Sequence, residues 1–171
     1  MMNDGKRICL TGFMGVGKSS VARHLAHLLR VKRVDLDALI EESERRTVPN
    51  IIEVSGIEAY REIETVNLET ALERGDVGIL SLGGGAWTTP HNRELLKLHG
   101  YTTIWLESTF EHCWLNISFS HKERPLAKDR NAAEKLFQER QKVYCLADWH
   151  FIVRPGYTSY DVARQIAADL A

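Results

Sequence analysis

Short apolar segments alternate with stretches of helical periodicity along this 171-residue chain. The apolar, β-prone segments predict five strands, at residues 7–10, 31–34, 77–82, 102–106 and 151–153. Between them, apolar residues recur at helical spacing, as Val21, Leu25, Leu28 and Leu29 do, and predict helices. The predicted helices span residues 18–29, 36–44, 57–74, 90–99, 109–117, 132–147 and 159–171. This alternation is typical of βαβ units, so we predict one three-layer α/β domain over residues 1–171, with a five-stranded parallel sheet flanked by helices.

One late segment, residues 118–131, lacks this periodicity. It is polar and charged, it is interrupted by Pro125, and it contains Lys122, Arg124, Lys128 and Arg130. A charge run of this kind is usually solvated surface. Its position late in an α/β domain is also where a lid over a binding site would lie, and we predict a lid here.

Charge and cysteine content narrow the class of protein. Lysine and arginine number 22 against 23 aspartate and glutamate, for a net charge of −1, which argues against a surface built to hold nucleic acid or anionic membrane. No segment approaches the roughly 18 apolar residues of a membrane span, and the start of the sequence has no signal-peptide pattern. The three cysteines form no CxxC pair, so neither a disulfide framework nor a zinc site is predicted. We therefore expect a cytoplasmic protein without nucleic-acid or membrane partners.

The segment Gly12-Phe13-Met14-Gly15-Val16-Gly17-Lys18-Ser19 fits the phosphate-loop pattern GxxxxGK[ST]. Glycines at these positions let successive backbone N–H groups point inward at the start of a helix, where they bind phosphate. The lysine adds a full charge for the β- and γ-phosphates, and the serine hydroxyl suits Mg²⁺. A chance glycine-rich turn is the alternative, but the strand before and the helix after favour phosphate binding. The predicted ATP contacts in this segment are Gly12, Gly15, Val16, Gly17, Lys18, Ser19 and Ser20.

Two carboxylates, Asp35 and Asp37, follow the second predicted strand. Ligands of open α/β sheets bind beyond the carboxyl ends of the strands, so both side chains are placed to face a site. One could hold Mg²⁺ through water, and the other could orient or deprotonate a substrate hydroxyl. A solvated helix N-cap is an equally common use of such an aspartate.

Two further patterns add candidate ligands for a substrate. Arg61 and Glu64 are three residues apart in a predicted helix, which allows an ion pair that holds the guanidinium in one pose. From spacing alone, a surface salt bridge of little consequence is the simpler interpretation. Gly83, Gly84 and Gly85 follow a buried strand and present backbone that a ligand can approach closely, although a flexible turn would have the same composition.

In this order, the segments GFMGVGKSS, DLD, YREIE, GGG and ERPLA, followed by Arg140 and Tyr144, resemble the shikimate kinases, a family of small P-loop kinases. The resemblance extends from Gly12 to about Tyr144. It implies a three-layer P-loop kinase fold with a substrate-binding subdomain at about residues 36–64 and a mobile lid at about residues 118–131. It also implies transfer of the γ-phosphoryl group of ATP to the 3-hydroxyl of shikimate, a step of aromatic amino-acid biosynthesis, with Mg²⁺ as cofactor.

The resemblance also implies roles for individual residues. Lys18 and Ser19 would hold ATP and Mg²⁺, Asp35 would assist the metal through water, and Asp37 would contact the shikimate hydroxyls as the base. Arg124 would be the lid arginine that closes over the ATP phosphates, so the implied catalytic set is Lys18, Asp37 and Arg124. The implied ligands of the acid substrate are Arg61, Gly83, Gly84, Gly85 and Arg140. ATP and shikimate would be the partners of a monomeric enzyme.

The sequence departs from the family pattern at the adenine site. Members often carry an arginine before the lid that stacks on adenine, whereas the matching helix here offers Asn116. We expect Arg154, with Pro155 beside it, to contribute to ATP binding instead. Two alternatives stay open: a related small-metabolite kinase, of the gluconate or nucleoside-monophosphate type, and a non-catalytic nucleotide-binding module. A nucleotide acceptor would require more cations for its phosphate, and a non-catalytic module would be expected to lose Lys18, Asp37 or Arg61.

Overall fold

A parallel sheet with helices packed around it organises the chain. The computed structural model describes residues 5–170. Its five strands are β1 (Arg7–Thr11), β2 (Lys32–Asp35), β3 (Val77–Ser81), β4 (Tyr101–Glu107) and β5 (Trp149–Ile152). They lie in the order β2-β3-β1-β4-β5, and every neighbouring pair is parallel. The predicted five-stranded parallel α/β fold is confirmed, and the carboxyl ends of all five strands meet at one edge of the sheet.

In the described part of the chain, eight α-helices connect and flank the strands. They are α1 (Lys18–Leu29), α2 (Leu36–Glu44), α3 (Val48–Ser55), α4 (Ile57–Glu73), α5 (Pro90–Leu98), α6 (Phe110–Phe119), α7 (Arg130–Tyr144) and α8 (Ser159–Leu170). The predicted end of the last helix, Ala171, lies outside the described residues. Helices α1 and α8 pack against each other, and α4 packs against α2 and α3. No helix within residues 5–170 is long and apolar enough to cross a membrane.

Helix α3 was not among the helices predicted from hydrophobic spacing. The helix begins after Thr47, whose hydroxyl accepts a hydrogen bond from the Asn50 N–H at 3.2 Å, and Pro49 lies in its first turn. Both are standard signals for the start of a helix. Of the eight residues of α3, Ile51 is the one that is fully buried. Gly56, at a φ of 87°, then separates α3 from α4.

The segment between α6 and α7 is shorter than the predicted lid. Helix α6 continues to Phe119, and α7 begins at Arg130 because the Asp129 carboxylate accepts a hydrogen bond from the Ala132 N–H at 2.8 Å. Residues 120–129 therefore form the loop itself, which we call the lid segment. Its single 3₁₀ turn, Pro125–Ala127, buries Ala127 against Phe110 and Ala133. This contact fixes the second half of the segment to α6 and α7.

The main hydrophobic core lies on β1 and its neighbours. Ile8, Cys9 and Leu10 of β1 are fully buried, as are Ile79 and Leu80 of β3. Because β1 is the central strand and is covered on both faces, it appears in sequence as a continuous apolar run. The same strand leads directly into the glycine-rich segment, which is thereby attached to the most buried part of the molecule.

Candidate active site

A cleft of about 500 Å³ opens at the carboxyl edge of the sheet. Segments that are far apart in sequence line it: the phosphate loop, the ends of β2 and β3, helices α3, α4 and α7, and the lid segment. The predicted site residues that line the cleft are Gly15, Gly17, Lys18, Ser19, Ser20, Asp35, Asp37, Arg61, Gly83, Gly84, Gly85, Arg124 and Arg140. The cleft therefore joins nearly all the residues that the sequence singled out.

The phosphate loop has the backbone conformation that its glycines permit. Gly15 and Gly17 adopt φ values of 82° and 102°. At Gly15 the space is closed as well, since a Cβ atom there would lie 2.6 Å from the Cys113 carbonyl oxygen of α6. Helix α6 thus packs directly against the loop, and its Asn116 side chain donates a hydrogen bond to the Gly15 carbonyl at 2.7 Å.

Lys18 is buried at the start of α1. Its ammonium group donates to the carbonyl oxygens of Gly12 at 2.7 Å and Phe13 at 3.0 Å. Burial lowers the Lys18 pKa to about 8, against the opposing attraction of the Asp37 carboxylate. A desolvated cation of this kind gains strongly from an anionic ligand, because the ligand supplies the compensating charge.

Asp35 combines a structural role with a polar cluster. One carboxylate oxygen caps α2 by accepting the Ala38 N–H at 3.1 Å. The other accepts hydrogen bonds from the hydroxyls of Ser19 at 2.5 Å and Ser81 at 3.2 Å. Both interpretations of this aspartate therefore apply, since it is an N-cap and also part of a cluster of hard oxygen atoms beside the phosphate loop.

Asp37 lies deeper in the cleft, in the first turn of α2. The Tyr60 hydroxyl of α4 lies 3.4 Å from Oδ1, and the Lys122 ammonium of the lid segment lies 3.6 Å from Oδ2. The carboxylate is thus held between a helix and the lid segment, with both oxygens facing hydrogen-bond donors.

Arg61 and Glu64 form an ion pair inside the protein. Nη1 of Arg61 donates to Oε1 of Glu64 at 2.8 Å, and the Glu64 side chain is fully buried. Burial raises the Glu64 pKa, although the guanidinium opposes the shift. Because the Glu64 side chain is fully buried, the interpretation of this pair as a surface salt bridge is wrong. The spacing of the two residues could not show this, since it does not indicate which face of α4 is covered.

The glycine run after β3 is packed against three of the charged side chains. A Cβ atom at Gly83 would lie 2.6 Å from Oδ1 of Asp37, and one at Gly85 would lie 2.1 Å from Nη2 of Arg61. At Gly84 the nearest atom would be Nη1 of Arg140, at 2.9 Å. The absence of side chains here makes room for the protein's own charged groups, so that they can reach the cleft.

Arg140 projects from α7 toward the same point. It is 6 % exposed, and its Nη1 is buried without a hydrogen-bond partner in the described chain. The neighbouring turn of α7 is fixed by Tyr144, whose hydroxyl donates to the Gly84 carbonyl at 2.5 Å. A buried guanidinium nitrogen with unused donor capacity is a strong candidate for binding an anion.

Three of the predicted ATP contacts do not line the cleft. Gly12 and Val16 lie behind it, with the Val16 side chain in the hydrophobic core. Arg154 is exposed after β5 and is not among the lining residues. Several lining residues were not predicted as site residues, namely Val48, Pro49, Ile52, Tyr60 and Lys122, of which Lys122 was predicted only as part of the lid. The α3 residues among them could not have been found without the helix, whereas Tyr60 stands directly beside Arg61.

Comparison with known proteins agrees with this geometry. A family model described as shikimate kinase matches residues 14–171. The chain is 36% identical over 168 residues to the shikimate kinase of Geobacter metallireducens, across 96% of this chain and 92% of that one. The chain belongs to the shikimate kinase family. To another family member, the shikimate kinase of Persephonella marina, it is 34% identical over 166 residues, across 94% of this chain and 96% of that one.

Solved structures of the shikimate kinase family confirm the fold. The shikimate kinase from Acinetobacter baumannii, in complex with shikimate, superposes with a TM-score of 0.90 at 32% identity, across 99% of this chain and 94% of that one. The shikimate kinase from Aquifex aeolicus superposes with a TM-score of 0.77 at 28% identity, across 96% of this chain and 95% of that one. A gluconokinase from Sinorhizobium meliloti superposes with a TM-score of 0.59 at only 15% identity and shares the fold alone. The predicted resemblance to shikimate kinases and the P-loop kinase fold are both confirmed.

Proposed function

We propose that this chain is the enzyme that transfers the γ-phosphoryl group of ATP to the 3-hydroxyl of shikimate, giving shikimate 3-phosphate and ADP. One observation carries the proposal: a phosphate loop, a carboxylate and two arginines line one cleft. Lys18 and Asp37 line it together with Arg61 and Arg140, which both adjoin the glycine run. Membership of the shikimate kinase family supports the same activity.

On the donor side, the phosphate loop supplies N–H groups and the Lys18 ammonium to the phosphates of ATP. The ammonium now bonds to two carbonyl oxygens, and a bound phosphate would attract it into the cleft. Arg124 lies on the lid segment and lines the cleft, where burial lowers its pKa. We assign it to the ATP phosphates, where a guanidinium neutralises charge that spreads over the transferred group.

The residues beside the phosphate loop fit Mg²⁺. The Ser19 hydroxyl and the Asp35 carboxylate are hard oxygen donors that already meet, with Ser81 alongside. Among the described residues no group of three metal-ligating side chains forms a closed cage. Mg²⁺ is commonly held by one or two protein oxygens, with phosphates and water completing the coordination. When bound by Ser19 and Asp35, the ion would neutralise phosphate charge.

On the acceptor side, Arg61 and Arg140 bind the carboxylate of shikimate through charge-assisted hydrogen bonds. The buried Glu64 fixes Arg61, and Arg140 retains an unused buried donor. Val48, Pro49 and Ile52 of α3 line the cleft and offer apolar contacts to the carbon ring.

Asp37 takes the proton of the reacting hydroxyl. The oxygen of that hydroxyl forms a bond to the γ-phosphorus, while the bond from this phosphorus to the bridging oxygen of ADP breaks. The proton passes to the Asp37 carboxylate, and Lys18 and Arg124 stabilise the charge on the transferred group. The protein mainly positions the two substrates and neutralises charge, as phosphoryl transfer requires.

The same proposal includes the organisation of the chain. We assign residues 36–64 to the acceptor-binding subdomain and, within the predicted range 118–131, the lid segment at residues 120–129 to a lid that excludes water when both substrates are bound. We take the enzyme to act as a cytoplasmic monomer. The presence of three free cysteines, two of them buried, is compatible with a reducing compartment.

The test is ADP release by the purified chain with ATP and Mg²⁺, in the presence of shikimate, quinate, gluconate or a nucleoside monophosphate. We expect rapid release with shikimate and a much lower rate with the other acceptors. Asp37→Asn serves as the matched control, because it keeps the shape of the side chain and removes the base. Release that is independent of shikimate, or fastest with gluconate, would contradict the proposal.

A further inference from the structure

Tyr60 has a contact in the cleft that the proposed reaction has not used. The residue lies on α4 and is only 5 % exposed, while its ring and hydroxyl line the cleft. Its hydroxyl points at Oδ1 of Asp37 from 3.4 Å. Oδ2 faces Lys122 on the lid segment instead. The two oxygens of the carboxylate therefore have different surroundings, one set by a buried helix and the other by an exposed loop.

We propose that Tyr60 is a positioning residue whose hydroxyl fixes Oδ1 of Asp37 and leaves Oδ2 to receive the proton of the acceptor. This inference rests on the proposed role of Asp37 as the base. Gly83 covers the same carboxylate from the glycine run, because a Cβ atom there would lie 2.6 Å from Oδ1 and 3.1 Å from Oδ2. Oδ1 is thus the more closely enclosed oxygen, between Tyr60 and Gly83, whereas Oδ2 faces the Lys122 ammonium of the lid segment at 3.6 Å.

The phenol is suited to a fixed donor role. Burial and the neighbouring carboxylates of Asp37 and Glu64 raise the Tyr60 pKa well above its ordinary value, so the hydroxyl keeps its proton. Its O–H is then available to donate to Oδ1 of Asp37, 3.4 Å away. A hydrogen bond to a carboxylate oxygen restricts rotation of the carboxylate.

Other charged groups also act on Asp37 and set the background for this effect. They come from α1, from α4 and from the lid segment: Lys18, Glu64, Lys122 and Arg124. The cations attract the carboxylate, and an ionised Glu64 repels it. Tyr60 is the neutral donor in this set, so its contribution can be removed without changing the net charge of the cleft.

The experiment compares Tyr60→Phe with the wild-type enzyme in steady-state kinetics with varied shikimate and varied ATP. The substitution keeps the ring and removes one oxygen. Tyr101→Phe is the control, because its phenol is also buried and donates a hydrogen bond, to the Val77 carbonyl at 2.7 Å, but does not line the cleft. Thermal unfolding of both variants reports any general loss of stability.

We expect Tyr60→Phe to lower kcat roughly five- to tenfold, as loss of a long hydrogen bond to a charged group would do, with little change in the KM for ATP. The KM for shikimate should change much less than kcat, because Tyr60 acts on the reacting step through Asp37 and not on the acid group of the substrate. In an Asp37→Ala background the same substitution should cost almost nothing more. Tyr101→Phe should leave kcat and both KM values unchanged.

Two results would overturn the inference. An unchanged kcat in Tyr60→Phe, or a loss that persists fully in the Asp37→Ala background, would show that the hydroxyl does not act through Asp37. Absence of shikimate-dependent ADP release in the wild-type enzyme would instead contradict the proposed function and this inference with it, so the two failures are distinguishable.

Discussion

The contact between Gly85 and Arg61 makes a sharp test of the acceptor site. Gly85 has a φ of −111°, which an alanine adopts without strain, so Gly85→Ala adds a methyl group and leaves the backbone as it is. That methyl carbon would lie 2.1 Å from Nη2 of Arg61 and 2.7 Å from its Cζ. Real Cβ contacts essentially never fall below 3.0 Å, so the guanidinium must retreat by at least 0.9 Å, the difference between 3.0 and 2.1 Å.

A displacement of this size is enough to weaken binding of the substrate carboxylate. A hydrogen bond to a charged group contributes about 1.5–3 kcal/mol, which corresponds to roughly a 10- to 150-fold change in an equilibrium constant. Because Arg61 can still reach part of the cleft after it moves, we expect the KM for shikimate to rise roughly tenfold, at the lower end of that range. The KM for ATP should stay within a factor of two, since the phosphate loop is untouched.

The assay is steady-state ADP release with varied shikimate at saturating ATP, applied to Gly85→Ala, Arg61→Ala and the double variant. If the methyl group acts by displacing the guanidinium, the double variant should have the KM of Arg61→Ala alone. Gly84→Ala provides a graded comparison, because its Cβ atom would lie 2.9 Å from Arg140 and demands a smaller movement. A wild-type KM in Gly85→Ala, or a further rise in the double variant, would refute the reasoning.

Three further predictions concern the charged groups of the cleft. Burial lowers the Lys18 pKa to about 8, so the ammonium loses its proton above that pH. The affinity for ATP, measured by calorimetry, should therefore fall between pH 7 and pH 9. Lys18→Met should bind ATP weakly and with the same affinity at the two pH values. Asp37→Asn should lower kcat far more than it weakens shikimate binding, whereas equal losses would limit Asp37 to a binding role. Lys122→Met removes a half-exposed cation 3.6 Å from Asp37 and should change kcat/KM for shikimate less than roughly fivefold. Lys128→Met on the same segment is its control, and an equal effect of both would argue against a specific contact.

Local patterns in the sequence were sufficient to predict the sheet and the phosphate loop. The apolar run of β1 followed by GxxxxGK[ST] determines both the strand and the loop after it, because the physical requirements are contained within about fifteen residues. Helix α3 was missed for the opposite reason. Its eight residues make only about two turns, so the helical spacing of Val48, Ile51 and Ile52 extends over too short a segment to stand out. The Thr47 N-cap and Pro49 were the stronger local signals.

The arrangement of Arg61, Glu64 and the glycine run could not be predicted from local patterns, because it depends on tertiary contacts. That Glu64 is buried, and that Gly85 adjoins Arg61, follow from how α4 packs beside the end of β3. The resemblance to shikimate kinases supplied the grouping of Arg61, Arg140 and the glycine run. It did not supply the pairing of each glycine with a particular charged group, since that pairing depends on distances between elements far apart in sequence.

The strand order has a consequence for how enzymes of this fold change their acceptor. The phosphate loop follows β1, and the glycine run follows β3, its hydrogen-bonded neighbour. The phosphate loop and the glycine run therefore leave the sheet from strands about 4.8 Å apart, a spacing that backbone hydrogen bonds set. Substitutions on α4 and α7 would then change which alcohol the cleft takes and leave the positions of these two loops unaltered.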